Sequence, residues 1–123
     1  MVTIFILSSI SGQSLEPYML HFRFWDKVCH AIAFASGAVI LAMALHKTTS
    51  LPPRALVLLV IVVISIFGAT DEWHQLGTPG RSGADVFDWL ADTLGATLGA
   101  LVNYAGNRVT ENARASQEVA AGN

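Results

Sequence analysis

Ionisable side chains that could take part in chemistry fall in three short segments of the sequence. The first holds Asp26 and His30, the second is Asp71-Glu72-Trp73-His74-Gln75, and the third runs from Arg81 to Asp92. Carboxylates beside a histidine can give and take protons, and an arginine can grip a phosphate or carboxylate through two parallel hydrogen bonds. These residue types therefore predict either acid–base chemistry or the binding of a polar or anionic ligand.

Helical spacing selects candidates in the first segment. Asp26 and His30 are four residues apart, so on a helix they share a face, about 6 Å apart along the axis. Lys27 points elsewhere, where its long side chain can reach lipid head groups. Each candidate also has a structural interpretation: Asp26 as a helix cap, and His30 as a hydrogen-bond partner of a neighbouring helix.

The second segment offers two pairs of residues at helical spacing. Glu72 and Gln75 share one face, while Asp71 and His74 share an adjoining stripe. We expect Glu72 and Gln75 to face the interior and His74 to lie at the water interface. Trp73 is typical of an aromatic anchor at a membrane surface.

The third segment opens with a turn, Pro79-Gly80-Arg81-Ser82. Its arginine can hold an anionic ligand, or it can neutralise the acidic residues near it. Asp88 and Asp92 follow on one helical face. If this helix crosses a membrane, Asp92 lies roughly 10 Å deep by helix rise, where a carboxylate costs up to about 3.5 kcal/mol on insertion. Intramembrane ionisable residues of this kind are candidates for function.

The same helical face continues through Gly95 and Gly99. Small residues four apart allow two helices to approach closely. We therefore interpret these glycines as helix-packing residues, and we expect the aspartates of the same face to point inward as well.

Composition identifies the environment in which these residues act. Of 123 residues, 53% are hydrophobic and 13% are charged, against about 25% charged in soluble domains. A net charge of −2 without a Lys/Arg cluster excludes a nucleic-acid partner. Cys29 is the single cysteine, so an internal disulfide is impossible. The composition predicts a small integral membrane protein.

Three segments are long and apolar enough for about 20 residues of membrane-spanning helix: Asp26–Leu45, Arg54–Leu76 and Val86–Gly106. Val2–Ile10 gives only about 14 Å of helix and lacks the basic residues that open a signal peptide. The predicted fold class is all-α: a polytopic membrane helical bundle of three long transmembrane helices plus a short N-terminal one. Residues 1–106 form its membrane domain, and residues 107–123 form a frayed, polar C-terminal tail.

Short connections require consecutive long helices to run antiparallel, so all three polar segments lie at one end of the bundle. The opposite end holds four Lys and Arg residues and the polar end three. Because basic residues favour the cytoplasmic side, we expect the polar end to be extracytoplasmic.

Together these motifs resemble the VanZ-like family of small bacterial membrane proteins over about residues 1–105. The resemblance rests on Asp26-Lys27-x-x-His30, Glu72-x-x-Gln75, Pro79-Gly80-Arg81-Ser82 and Asp88-x-x-x-Asp92-x-x-Gly95-x-x-x-Gly99. It implies about four membrane helices in the bacterial inner (cytoplasmic) membrane and a link to the cell envelope and to teicoplanin-type resistance, without an established reaction. Two features depart from the family: Asp92 stands where asparagine is common, and the first span is short.

Two functions of different class fit the residues. In the first, the protein binds or processes a polar or phosphorylated envelope lipid, with His30, Glu72 and Asp92 as acid and base. Asp26, Gln75, Arg81 and Asp88 then bind the ligand. In the second, the protein is a non-enzymatic scaffold or partner subunit whose buried polar network fixes helix register.

A proton- or ion-coupled carrier is a third alternative, but four helices leave it little room. A divalent metal held by aspartate, glutamate and histidine ligands is conceivable, but the histidine and glutamate spacing of metal-dependent hydrolases is missing, so no cofactor is predicted. Cys29, Ser82 and Thr93 have no base at a fixed spacing, which disfavours covalent catalysis.

Overall fold

The computed structural model describes residues 19–77 and 85–122, and for residues 19–24 and 26 it describes the backbone alone. Within these ranges the chain forms three helices: α1, Met19–Thr48; α2, Pro53–Gln75; and α3, Val86–Ala121. The described part is therefore all-helical, in agreement with the predicted class. The short helix predicted over Val2–Ile10 lies outside the described residues.

Local sequence explains where the helices begin. Pro53 occupies the first turn of α2 after an extended Pro52, and a helix start tolerates proline because its first N–H groups have no intrahelical acceptor. Asp85 caps α3, since its side chain accepts a hydrogen bond of 2.8 Å from the Phe87 N–H. An N-cap of this kind satisfies one of the free donors of the first turn.

The core is narrow and is built largely from small side chains. α1 packs most extensively against α3. Fully or almost fully buried hydrophobic residues come from all three helices: Phe34, Ala38, Ala42, Leu56, Val60, Ile64, Ala96 and Ala100. Large apolar side chains instead cover the outside, as at Ile40, which is 68% exposed, and Leu58, which is 64% exposed. An exterior of this kind suits a hydrocarbon environment better than water.

Two of the described helices are long and apolar enough to cross a membrane, Lys27–Thr48 and Pro53–Gln75. They correspond to the first two predicted spans. The predicted third span lies within α3, which is not among these two helices. Aspartates, threonines and asparagines on α3 lower its hydropathy.

The C-terminal residues differ from the prediction of a frayed tail. α3 continues without interruption to Ala121, and its residues from 108 to 121 are exposed. Alanine, arginine, glutamate and glutamine, which recur there, are good helix formers. At 1.5 Å per residue, the 36 residues of α3 extend about 54 Å, well beyond a hydrocarbon core of about 30 Å.

Consecutive helices run antiparallel, which brings the polar segments of the three helices together at one end. The Asp85 N–H, at the start of α3, donates a 2.8 Å hydrogen bond to Glu72 Oε2, near the end of α2. Near the same end, Lys27 of α1 contacts Asp88 of α3. The predicted clustering of the three segments is thus present among the described residues.

Candidate functional site

Three ionisable residues, one from each helix, meet inside this end of the bundle. His30 of α1, Glu72 of α2 and Asp92 of α3 each place one ligand-type atom so that the three atoms lie within 4.8 Å of one another. A hydrogen bond of 2.9 Å joins His30 Nδ1 to Asp92 Oδ1. We call these three residues the buried triad. A histidine between carboxylates can exchange protons with them, and the same donor atoms can bind a metal ion.

The triad is shielded from solvent. Asp92 is fully buried, Glu72 is 4% exposed, and the His30 side chain is 11% exposed. Glu72 uses Oε2 to accept the Asp85 N–H. Glu72 Oε1 and Asp92 Oδ2 are both buried and have no hydrogen-bond partner within the described part of the chain. Buried polar atoms are almost always hydrogen-bonded, so two unpartnered oxygens in one cluster call for an explanation.

Small and aromatic residues shape the space around the triad. Gly68 of α2 faces Asp92, and a Cβ atom at position 68 would lie 2.9 Å from Asp92 Oδ2 and 3.3 Å from Phe34 Cε1. The rings of His30 and Phe34 are nearly parallel, 9° apart in orientation, with centroids 6.2 Å apart. Glycine thus leaves room for the Asp92 carboxylate, while Phe34 closes the apolar side.

An ion-pair group borders the triad toward the end of the bundle. Lys27 Nζ lies 2.5 Å from Asp88 Oδ1 and 3.4 Å from Asp85 Oδ2. The prediction that Lys27 points away toward lipid head groups was wrong, because two carboxylates of α3 lie within its reach. Partial desolvation opposes ionisation of Asp85, but the Phe87 N–H and the charge of Lys27 outweigh it and hold the pKa of Asp85 below its ordinary value.

The end of α2 buries more polar residues than the spacing argument suggested. Glu72 and Gln75 face inward and His74 is exposed, as expected, but Asp71 is fully buried as well. Gln75 Nε2 donates a 3.1 Å hydrogen bond to Asp71 Oδ2. Around a helix, Asp71 lies only about 40° from Gln75, so the two belong to one inward stripe and not to competing ones.

The other residues proposed for the site have the following positions. Asp88 is buried and pairs with Lys27. Asp26 lies on α1, but its side chain is not described, and Arg81 lies outside the described residues. Gly95 and Gly99 are buried against α1, where an added Cβ would collide with the carbonyl oxygens of Ala31 and Ala35 respectively.

A mostly apolar groove opens beside the triad, between the end of α2 and the start of α3. Its lining consists of Ala69, Glu72, Trp73, Leu76, Asp85, Val86 and Trp89. The groove is open to the exterior, and Glu72 is the member of the triad that lines it. An apolar chain could therefore lie along α2 and α3 while a polar group attached to it reaches Glu72.

The sequence placed Lys27, Asp71 and Asp85 at this polar end but did not identify them as residues of the site. A signal for Asp85 was available, since an aspartate directly before an apolar helix is typical of an N-cap. Lys27 and Asp71 could be assigned only with knowledge of how the helices are rotated relative to each other. The triad also has no linear signature, because its members come from three helices.

An all-helical bundle with two helices apolar enough to cross a membrane, closed at one end around buried ionisable residues, defines a class of small membrane-type protein. A family model described as VanZ/LLP1 matches residues 2–106. The chain belongs to this family. No curated protein and no solved structure matches the chain.

Proposed function

We propose that this chain is a multi-pass protein of the bacterial cytoplasmic membrane that binds a polar or phosphorylated lipid of the cell envelope. The observation that carries the proposal is the apolar groove lined in part by Glu72. An acyl or isoprenoid chain would occupy the groove, and its head group would contact the buried triad. Membership of the VanZ/LLP1 family supports a role in the envelope, including a contribution to teicoplanin-type resistance.

Processing of the lipid is the finer part of the proposal. The 2.9 Å hydrogen bond between His30 and Asp92 supports this part, because proton transfer between two groups needs such a contact. Arg81, in the connection between α2 and α3, would grip an anionic head group. Asp26, Gln75 and Asp88 would complete the polar surroundings of that group.

A scaffold or partner subunit without catalysis is the second candidate, and polar contacts between helices support it. Trp89 Nε1 donates a 3.1 Å hydrogen bond to the Ser65 carbonyl, and the hydroxyls of Ser65 and Thr93 are 2.9 Å apart. Contacts of this kind fix the relative position of α2 and α3. In this alternative the triad would be a further register-setting network.

The groove can be blocked without touching the triad. Ala69 is exposed and lines the groove, so Ala69→Phe should fill it, while Ala44→Phe adds the same ring at an exposed position of α1 elsewhere on the surface. Lipids that copurify from native membranes are measured by native mass spectrometry. We expect Ala69→Phe to lose most of the bound lipid and Ala44→Phe to retain it. Equal lipid retention by both variants would contradict the proposed binding site.

Conservative substitutions separate the two candidate functions. If the triad and Arg81 bind or process a ligand, Glu72→Gln, Asp92→Asn and Arg81→Lys should abolish the envelope phenotype, read as teicoplanin susceptibility, while the protein stays folded. If the triad is structural, the same changes should lower thermal stability in detergent first. Full activity of Asp92→Asn would exclude Asp92 as an essential acid or base.

A further inference from the structure

The buried triad has the geometry of a ligand set for a cation. It brings one histidine nitrogen and two carboxylate oxygens within 4.8 Å of one another. Ligands at about 2.0–2.2 Å from a metal ion are at most about 4.4 Å apart, so a small contraction would complete the set. Three protein ligands that leave further positions open are typical of sites where a metal ion also contacts water or a substrate.

The unpartnered oxygens point to an occupant. Glu72 Oε1 and Asp92 Oδ2 are buried without a hydrogen-bond partner among the described residues, on side chains that are 4% and 0% exposed. A bound cation would coordinate such oxygens directly. Hydrogen bonds to the triad's other oxygens, from the Asp85 N–H to Glu72 and between His30 and Asp92, are the kind of contact that orients ligand side chains.

Charge balance favours the same conclusion. Lys27 is paired with Asp85 and Asp88. Among the described residues, His30 is therefore the basic side chain that faces the two carboxylates of the triad. Two buried carboxylates close to one imidazole leave excess negative charge in a medium of low polarity, which is costly unless it is compensated. A divalent cation supplies the missing positive charge.

We propose that His30, Glu72 and Asp92 form a binding site for one divalent cation of the Mn²⁺ or Zn²⁺ type. A mixed set of one imidazole and two carboxylates suits these ions better than Cu⁺, which prefers thiolates, or Ca²⁺, which prefers oxygen ligands alone. The ligands come from three helices, so the cation also ties the helices together.

The cation would also explain how an acidic site receives an anionic head group, because its open positions can accept phosphate oxygens. This link rests on the proposed function, whereas the cation site itself does not. A carboxylate oxygen that coordinates the cation carries no proton, so in this state Glu72 and Asp92 act as ligands.

Metal binding is measured on the full chain in lipid nanodiscs after removal of metal with a chelator. Mn²⁺ is titrated and followed by electron paramagnetic resonance, and pulsed spectra report nitrogen ligands. We expect saturation near one Mn²⁺ per chain, coupling to a single histidine nitrogen, and displacement by Zn²⁺. Absence of saturable binding, or of nitrogen coupling in the wild-type protein, would overturn the proposal without need of any variant.

Matched variants test the ligand assignment. Glu72→Gln and Asp92→Asn should weaken Mn²⁺ binding at least about tenfold. Glu111→Gln removes an exposed carboxylate from the distant part of α3, so it should leave the Mn²⁺ affinity unchanged. An equal loss in Glu111→Gln would show diffuse attraction to acidic side chains, and the site would be rejected.

The outcomes also separate the two proposals. Mn²⁺ binding without lipid retention would reject the lipid proposal and keep the cation site. Lipid retention that survives metal removal, together with no saturable Mn²⁺ binding, would reject the cation site and keep the lipid proposal.

Discussion

Asp92 can occupy the interior of the bundle because residue 68 is glycine. A Cβ at this position would lie 2.9 Å from Asp92 Oδ2 and 3.1 Å from Asp92 Cβ, closer than atoms normally pack. The Asp92 side chain is fully buried and has little freedom to move aside. Space for the Asp92 carboxylate therefore depends on residue 68 having a hydrogen atom where alanine has a methyl group.

We predict that Gly68→Ala destabilises the protein by about 1–3 kcal/mol, the usual cost of overpacking. The sign of the change in stability tests this packing, because replacing glycine by alanine within a helix otherwise stabilises a protein by up to about 1 kcal/mol. The measurement is the thermal unfolding midpoint in detergent, followed by circular dichroism.

Gly106 provides the matched control for this variant. It is exposed on α3 and has open space around an added Cβ, so Gly106→Ala should be neutral or stabilising. A rise in stability for Gly68→Ala equal to that of Gly106→Ala would show that Asp92 is not confined at this position.

At the scale of single residues, the sequence predicted which polar residues gather at one end of the bundle better than it predicted which of them contact each other. His30, Glu72 and Asp92 could be proposed because an ionisable residue within an apolar segment is costly and so needs a reason. Asp71 and Lys27 could not be proposed in the same way. A rotation of about 40° to 60° of the helix around its axis decides whether such a residue faces a neighbouring helix or the exterior. That rotation is set by packing between helices.

Among the helices, the contact between α1 and α3 depends on the absence of side chains. Gly95 and Gly99 are buried, and an added Cβ at either would collide with a carbonyl oxygen of α1. Such a clash involves backbone, which cannot move aside as the end of a flexible side chain can. The two helix axes would have to separate, and the His30–Asp92 hydrogen bond would be lost with them.

We expect Gly95→Ala and Gly99→Ala each to lower the yield of folded protein and its unfolding temperature, with a cost at or above about 3 kcal/mol. Leu98→Ala is the control, because Leu98 lies on the same helix but is 61% exposed. Yield and monodispersity are read by size-exclusion chromatography. Wild-type behaviour of both glycine variants would contradict the close contact.

Helix positions were largely predictable, since apolar runs, Pro53 and Asp85 mark them in the sequence. The extent of α3 was not predicted. Its polar C-terminal residues carry no apolar stripe, and helix propensity alone is a weak guide to where a helix ends.

At the scale of the molecule, the antiparallel order of the helices determines which residues share an end. Gly77, after α2, and Thr49, after α1, are both exposed, and α2 separates them. If α2 crosses the membrane, the two positions lie on opposite sides. Cys29, which is exposed, is first replaced by serine so that a single introduced cysteine reports its position.

We predict that Gly77→Cys is labelled by a membrane-impermeant maleimide added outside intact cells, whereas Thr49→Cys is labelled only after permeabilisation. The direction follows from the excess of Lys and Arg at the end that holds Thr49. Labelling of both positions from one side would show that α2 does not span the membrane. Reversed labelling would place the triad at the cytoplasmic face.

The same assay decides whether α3 crosses the membrane. α3 carries Asp88 and Asp92 and is not among the two helices that are apolar enough by composition. It is nevertheless long enough, and the polar side chains of Asp88 and Asp92 are turned inward, while Leu94 and Leu98 are 63% and 61% exposed. Polar residues that face the bundle do not contact lipid, so their cost for insertion is reduced.

We therefore expect Gly122→Cys, beyond the end of α3, to be labelled like Thr49→Cys and only after permeabilisation. Labelling of Gly122→Cys together with Gly77→Cys would mean that α3 lies on one side of the membrane, and a third span would be excluded.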